Sequence, residues 1–484
     1  MSQTILQKPH PGADDVPLCV DLDGTLVKSD TLIDSLLVML RTNPALAFKL
    51  PARVLHGKAA FKAHVSASVS LDVAHLPYNR PLLNFLQQQQ AQGRKIFLAT
   101  GADLSIAHAV AAHLGIFAAV LGSDGATNLT GANKLGRMRS LLGSGAFDYI
   151  GNHTPDLPLL AAAHEAMVAN PSLRLRWGIK RLGIHPTREF VERRHPFQAL
   201  LKAARPHQWA KNLIIFLPVL LSHRPRGPLL LAALLAFVCF SLAASATYIV
   251  NDLLDIDADR RHPRKHLRPF AAGDLSPQAG LALVAIALLF TFAGARLLPL
   301  PFGLWLLFYV ASTLAYSLYI KRLALLDVFV LAGLYTLRLL AGGAATQTPV
   351  SHWLSGFSIF LFLSLAIVKR FAELENLRAS SAPVKNGRGY IVADIEQMRA
   401  FGTASAFAAV VVFANYISGR DVEALYSQPR LLWLIVPLMI LWLCRVWLLA
   451  SRGDLDEDPV IFALTDRMSL LIGAAVAAIA LLAI

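Results

Sequence analysis

Residues 251–259 read Asn-Asp-Leu-Leu-Asp-Ile-Asp-Ala-Asp and follow directly on an apolar run from Pro228 to Val250. A run of that length can cross a bilayer as a helix. Four carboxylates within eight residues at the end of such a helix are too costly to be packing. If the helix continues, Asn251, Asp255 and Asp259 advance four residues at a time and share one face. Hard oxygen donors on one face suit Mg²⁺, which takes one or two carboxylates and leaves its other positions to substrate phosphates. Working outward from this stretch divides the chain into a soluble part before it and a membrane part around and after it.

The sequence has 484 residues, enough for two or three domains, and 55% of them are hydrophobic. Mean hydropathy is +0.51, too apolar for an ordinary soluble chain. Three cysteines (Cys19, Cys239, Cys444) stand far apart in apolar contexts and suggest neither a disulfide framework nor a cysteine metal site. Met1 to Pro17 lack an apolar core, so no cleaved signal peptide is expected and the soluble part should stay in the cytoplasm. The formal charge of +14 is compatible with nucleic acid, anionic lipid or phosphate-rich substrates. Basic cytoplasmic loops account for much of it, and no nucleic-acid-binding motif is present.

In the first part, Pro17–Leu26, Lys95–Thr100, Ala118–Gly122 and Phe147–Gly151 read as buried strands alternating with helical patterns. That alternation argues for an α/β domain with a parallel sheet over 1–170, with chemistry beyond the strand carboxyl ends. Residues 30–88 read as a helical cap, and 171–206 as a basic, interfacial tether. Residues 207–484 read as an all-α polytopic membrane domain of about nine spans, near 209–222, 228–250, 277–298, 300–320, 323–345, 352–369, 401–417, 430–450 and 467–484. Lys and Arg concentrate in the loops at 251–276, 321–322, 369–400 and 451–467, which places the N-terminus inside, the C-terminus outside and the aspartates on the cytoplasmic side.

Val20-Asp21-Leu22-Asp23-Gly24-Thr25-Leu26 ends the first strand. On an extended backbone Asp21 and Asp23 point the same way, as a nucleophile and a general acid/base for phosphoryl transfer require. The string resembles the first motif of the haloacid-dehalogenase (HAD) superfamily of phosphatases, a Rossmannoid fold. That resemblance implies phosphoryl binding by Thr100 and Lys134, and a Mg²⁺ site of Asp21, Asp23 and Asp156. Asn152 stands where the family usually has an aspartate, which removes a charge from the site. The bland reading is a decayed domain kept for docking.

Asn251-Asp252-x-x-Asp255-x-x-x-Asp259 resembles the first signature of the UbiA superfamily of intramembrane prenyltransferases, and the likeness covers roughly residues 200–484. It implies catalytic Asp252, Asp255 and Asp259, with Asn251, Asp255 and Asp259 binding diphosphate through Mg²⁺. Arg205-Pro206-x-Gln208-Trp209-x-Lys211-Asn212 precedes the signature, and Lys265 and Arg268 follow it where they could clamp a phosphate. For single basic residues the competing reading is a lipid-contacting, snorkelling side chain. Tyr316 and Lys321 end the fourth expected span. Arg338 lies inside an apolar run, as a binding group or an interior ion pair.

After the sixth span, where typical lipid-quinone prenyltransferases carry a second aspartate-rich motif, this chain has Lys369-Arg370-Phe371-Ala372-Glu373. With Asp458-Pro459-Val460 and Asp466-Arg467, these strings resemble the branch represented by decaprenyl-phosphate phosphoribosyltransferase. The resemblance implies a Mg²⁺-dependent transfer of 5-phosphoribose from phosphoribosyl diphosphate (PRPP) to a polyprenyl phosphate in the cell membrane. Lys211, Asn212, Lys265, Arg268, Tyr316, Lys321, Arg338, Lys369, Arg370 and Glu373 would contact substrate. The HAD-like domain would then remove the 5-phosphate to give a glycan precursor. An aromatic prenyltransferase with a docking domain, using an isoprenoid diphosphate, is the alternative. A transporter rests on span number alone, and the sequence leaves an oligomer open.

Overall fold

The computed structural model describes residues 16–43, 46, 50, 57–143, 145–223, 226–379, 389–455 and 458–484. The expected leaderless N-terminus, parts of the expected cap and part of the 369–400 loop therefore lie outside the described residues. The chain forms two compact units. One runs to Ala203 and takes in Ile249–Ala282; the other comprises Ala204–Tyr248 and Leu283–Ile484.

The first unit is built on six parallel strands: β1 (Leu18–Val20), β2 (Ile96–Asp103), β3 (Ala119–Ser123), β4 (Asp148–Gly151), β5 (Ala166–Ala169) and β6 (Arg188–Phe190). Their spatial order is β3-β2-β1-β4-β5-β6. Successive side chains of β1 face opposite sides of the sheet. Leu18 and Val20 join Leu82, Leu98 and Ile150 in one core, while Cys19 joins Tyr149, Val168 and Leu175 in the other. Both faces are covered, as a parallel sheet requires. The chain fills β2 and β3 on one side of β1 and then returns to β4 on the other. This Rossmann-like reversal leaves a crevice at the carboxyl end of β1, where such sheets take ligands.

Helices Thr31–Thr42, Lys58–Ser68 and Arg80–Ala91 separate β1 from β2. Asp30 caps the first, its carboxylate accepting from the amides of Leu32 (3.0 Å) and Ile33 (3.1 Å). The sheet continues past residue 170. Residues 173–190, expected as part of a basic tether, instead supply helix Leu173–Arg181 and strand β6. Backbone pairing of β6 with β5, which composition does not report, is the reason.

The stretch 249–282 also packs into this unit. Arg260 is buried and donates to Asp34 Oδ2 at 2.8 Å and to Ser29 Oγ at 3.1 Å. Gly273 (φ +74°) comes so close to Lys28 that a Cβ at Gly273 would lie 2.6 Å from the Lys28 Cβ.

The second unit is all-helical. One core gathers Val328, Val368, Phe371, Met398 and Trp447; another gathers Phe240, Ala243, Phe302, Tyr309 and Leu337. Small residues set the close approaches, as is common between membrane helices. A Cβ on Gly402 would lie 2.2 Å from the Trp447 ring, and one on Gly342 would lie 2.2 Å from the Ile215 carbonyl oxygen. Leu289, Phe290, Leu304, Phe308 and Val411 are exposed, an apolar outer surface that water would not tolerate but lipid does.

Among the described residues seven helices are long and apolar enough to cross a membrane. They are Gly227–Leu254, Pro277–Ala295, Leu300–Leu318, Leu326–Thr346, His352–Arg378, Val392–Ile417 and Pro429–Ser451. Pro459–Thr465 and Arg467–Ala483, bent by 78°, make an eighth if taken as one span. The expected nine are thus too many. The stretch 209–222 falls out because Pro206–Phe216 winds as a 3₁₀ helix followed by only Leu217–Leu221 in α-helix. With the count changed, the expected outside C-terminus loses its basis.

Candidate functional site

The crevice of the first unit is a cavity of about 410 Å³ lined by Asp21, Asp23, Asp30, Lys62, Lys134, Asn152 and Asp156, among others. Asp21 follows β1 directly, its amide donating to the Ile150 carbonyl of β4 at 3.0 Å. Lys134, from helix Ala132–Leu142, places its Nζ 2.9 Å from Asp21 Oδ1, 3.3 Å from Asp156 Oδ1 and 3.0 Å from Tyr149 Oη. Tyr149 donates to Asp156 Oδ1 at 2.8 Å, and the amides of Asn152 and His153 donate to Asp156 Oδ2 at 3.1 Å each. Asp23 accepts from the Thr31 amide at 2.8 Å.

The two aspartates of the strand end have different protonation chemistry. Burial pushes Asp21 up to about 6, with Lys134 limiting the rise. Burial and the neighbouring Asp30 push Asp23 up to about 8. Burial works against ionisation of Asp156 too, yet Lys134 and the two amides hold it below the ordinary carboxylate range. Asp21 is thus the more readily ionised of the two and Asp23 the one that holds its proton longer, the order that a nucleophile and a general acid require.

The expected residues Asp21, Asp23, Lys134 and Asp156 are brought together. Thr100 does not line the cavity: it is fully buried, and its hydroxyl accepts from the Ala102 amide at 3.0 Å. Its strand ends later than expected, at Asp103. Tyr149, Asp30 and Lys62 were missed, since nothing local to their sequence marks them.

The aspartate stretch keeps the helical step across a local irregularity, the Asp255 amide donating to the Asn251 carbonyl at 2.9 Å and the Asp259 amide to the Asp255 carbonyl at 2.8 Å. Helix Gly227–Leu254 breaks at Asp255 and resumes as Ile256–Arg261. Arg268 Nη1 bridges Asp252 Oδ1 at 3.0 Å and Asp259 Oδ2 at 2.7 Å, while Asp255 Oδ1 lies 3.5 Å from Arg41 Nη2. Burial raises the pKa of Asp259 and Arg268 opposes the rise. Lys265 is exposed in the short turn Lys265–Leu267.

Among the described residues no three His, Cys, Asp or Glu side chains are grouped to hold a metal as they stand. The donor chemistry nevertheless fits Mg²⁺. Two carboxylates already converge on one cationic nitrogen, and in the β1 cavity both side-chain polar atoms of buried Asn152 are without a partner.

In the second unit a cavity of about 570 Å³ is lined by Arg205, Lys211, Tyr248, Tyr316, Lys369 and Asp458, with Arg370 and apolar Leu331 and Leu365. Asp458 Oδ2 accepts from Lys211 Nζ at 2.7 Å and from Lys369 Nζ at 3.0 Å. Burial opposes its ionisation, but Lys369 and Lys211 hold its pKa well below the usual range. Arg370, 2% exposed, engages Asp327 (2.7 Å), Glu373 (2.7 and 2.8 Å) and Tyr316 (3.1 Å). Glu373 is thereby an arginine partner.

Arg338 and Asn212, both expected at substrate, meet each other instead. Arg338 Nε donates to Asn212 Oδ1 at 2.8 Å, Nη1 to the Leu334 carbonyl at 2.5 Å and Nη2 to Tyr309 Oη at 3.2 Å. Both are buried and neither lines the cavity. Lys321, in the turn Ile320–Arg322, does not line it either. Asp458 was legible only as part of a resemblance, because its partners lie 89 and 247 residues away.

The profile of the UbiA prenyltransferase family matches residues 212–471. The chain belongs to that family. An uncharacterized protein y4nM of Sinorhizobium fredii is 36% identical over 465 residues, 96% of this UbiA-family chain and 90% of the relative. The decaprenyl-phosphate phosphoribosyltransferase of Mycobacterium tuberculosis is 32% identical over 274 residues, covering 56% of this chain and 88% of that protein. Among solved structures, a UbiA homolog from Archaeoglobus fulgidus bound to GPP and Mg²⁺ is 18% identical, with a TM-score of 0.46, over 58% of this chain and 99% of that one.

Proposed function

We propose that the protein moves 5-phosphoribose from PRPP to a polyprenyl phosphate, releasing diphosphate, and that its sheet unit then removes the 5-phosphate. The first half is supported by the cationic cavity of the second unit, in which Lys211 and Lys369 flank Asp458. A lipid phosphate needs such cations, whereas an isoprenoid diphosphate bound through a second metal would need carboxylates there. The relative from Mycobacterium tuberculosis, named for this transfer, adds to that reading.

In the transfer, an oxygen of the lipid phosphate attacks the anomeric carbon of PRPP as the bond to the diphosphate breaks. The carbon passes through oxocarbenium character, so no base is needed. Lys211 and Lys369 hold the attacking phosphate, and Lys265 and Arg268 contribute cations for the phosphates of PRPP. Asp252, Asp255, Asp259 and Asn251 would hold Mg²⁺ for this step, and Asp21 and Asp156 for the next, which leaves the Asp23 carboxyl free to carry its proton; a bound ion would neutralise phosphate oxygens and stabilise the leaving group.

In the second step Asp21 attacks the 5-phosphate phosphorus and the P–O ester bond breaks. The departing 5′-oxygen takes the proton of Asp23. Water then attacks the phosphoryl group on Asp21, giving a proton back to Asp23 and freeing inorganic phosphate and the Asp21 carboxylate. Lys134 neutralises the phosphoryl oxygens. Both steps belong at the cytoplasmic face of the cell membrane.

The test uses purified full-length protein in nanodiscs with ¹⁴C-PRPP, polyprenyl phosphate and Mg²⁺. The expected result is labelled lipid that has lost its 5-phosphate in the wild type, retains it in Asp21→Asn, and is not formed in Asp255→Asn. Consumption of an isoprenoid diphosphate in place of PRPP would refute the transfer. Wild-type product that keeps its 5-phosphate would refute the second step.

A further inference from the structure

The cavity at the end of β1 has more cationic lining than one phosphoryl group uses. Lys134 is committed to Asp21, Asp156 and Tyr149. Lys28, Arg193, Ser276 and Gln278 also line the cavity, and no contact ties them to those three side chains.

Lys28 is nearly buried, and its nearest carboxylate, Glu192, lies 3.8 Å away, beyond hydrogen-bond distance. Arg193 donates one Nη2 hydrogen to the Lys28 carbonyl at 2.9 Å, which fixes the guanidinium beside that lysine. Arg193 is solvent-exposed where it lines the cavity, and the charge of Asp274 acts on it. Ser276 Oγ accepts from the Ala279 amide at 3.2 Å, which leaves its hydroxyl proton to donate.

The four residues come from three separate segments, so their meeting has to be built. The close approach at Gly273 builds it: a Cβ there would lie 2.6 Å from the Lys28 Cβ and 3.4 Å from the Pro77 Cβ. The loop after the aspartate stretch thus closes on the segment that follows Asp21.

We infer that Lys28, Arg193, Ser276 and Gln278 form a second anion subsite, which takes the phosphodiester of a substrate whose phosphomonoester end lies against Asp21. One guanidinium, one ammonium, a hydroxyl and an amide supply enough donors for the two free oxygens of a diester. Gln278 opens the membrane-crossing helix Pro277–Ala295, which suits an esterified group ending in the bilayer. The inference rests on the phosphatase reading above and adds what selects its substrate.

Two soluble probes isolate the diester: methyl riboside 5-phosphate, and ribose 5-phosphate carrying a methyl phosphate at C1. Both are offered to the full-length protein in nanodiscs, with phosphate release as the readout. The diester should show KM lower by about tenfold, the size of one charge-assisted contact, and Arg193→Gln should bring the two KM values together. Calorimetric titration of Asp21→Asn protein with each probe should show the same preference without turnover. Equal KM and equal binding for the two probes, with Asp21→Asn still abolishing hydrolysis of both, would overturn the subsite and spare the phosphatase. No hydrolysis of either probe by the wild type would remove the phosphatase reading, and the subsite with it.

Discussion

Arg260→Met tests whether the stretch after the aspartates is structurally part of the sheet unit. Arg260 and Asp34 are buried, joined at 2.8 Å, and Ser29 Oγ ties them together with bonds of 3.1 Å to Arg260 and 2.7 Å to Asp34 Oδ2. Asp34 Oδ1 has no partner, so Oδ2 carries all the compensation its charge receives. Removing the arginine leaves the Ser29 hydroxyl, at 2.7 Å, as its remaining hydrogen-bond partner among the described residues. Breaking a buried pair by removing one partner costs about 3–5 kcal/mol, because the remaining charge stays desolvated. For a unit of this size about 2–4 °C accompanies each kcal/mol, so the apparent melting temperature should fall by about 6–20 °C. The assay is thermal unfolding of full-length protein in detergent, at one scan rate for all variants. The double variant Asp34→Leu/Arg260→Met removes both charges at similar volume and should recover most of the loss. A drop under about 2 °C in Arg260→Met, or a double variant as weak as the single one, would refute the reasoning.

Three further outcomes follow from the site geometry. Hydrolysis of p-nitrophenyl phosphate should be bell-shaped in pH: kcat/KM rises through about 6 as Asp21 loses its proton and falls through about 8 as Asp23 loses its own, and a profile flat from 5 to 9 would contradict the assignment. Gly24→Ala should abolish that hydrolysis and cost about 1–3 kcal/mol in thermal unfolding, since its Cβ would lie 2.0 Å from Asn152 Nδ2 at φ +74°. Lys369→Ala should lower kcat/KM for the transfer by about 10- to 150-fold, the worth of a hydrogen bond to a charged group, while p-nitrophenyl phosphate hydrolysis continues at the wild-type rate.

The sheet unit was largely legible because its chemistry lies at strand ends. Asp21 and Asp156 each follow a short apolar run bounded by turn residues, and parallel topology brings such ends together. Strand β6 was hidden because Arg188-Glu189-Phe190 has no apolar run; only backbone pairing with β5 makes it a strand. The aspartate stretch was legible along the helix but not beyond it. The four-residue step holds along the backbone, the Asp255 amide donating to the Asn251 carbonyl at 2.9 Å and the Asp259 amide to the Asp255 carbonyl at 2.8 Å, while Asp252 and Asp259, two turns apart, are bridged by Arg268 from a separate turn that helical spacing could not disclose. Arg338 was correctly marked as needing a partner. The partner, Asn212, is 126 residues away and is an amide rather than an acid, which neither helical spacing nor charge matching could disclose.

Three of the charged clusters share one pattern, a central ion between two opposite charges, and differ in the sign of what remains. Arg268 stands between two carboxylates, and so does Lys134, so each cluster carries one net negative charge when ionised. Asp458 stands between two ammonium groups, and that cluster carries one net positive charge. In every case the central ion is held by charge-assisted bonds of 2.7–3.3 Å. Exchanging a monovalent side chain for a divalent ion improves the balance in the first two clusters and has no counterpart in the third. A phosphate can instead share the two ammonium groups at Asp458 without losing the pair. The signs alone therefore suit Asp252 and Asp259 to a divalent cation and the Lys211–Lys369 cavity to a bare phosphate, which is the division of labour that the proposed transfer would use.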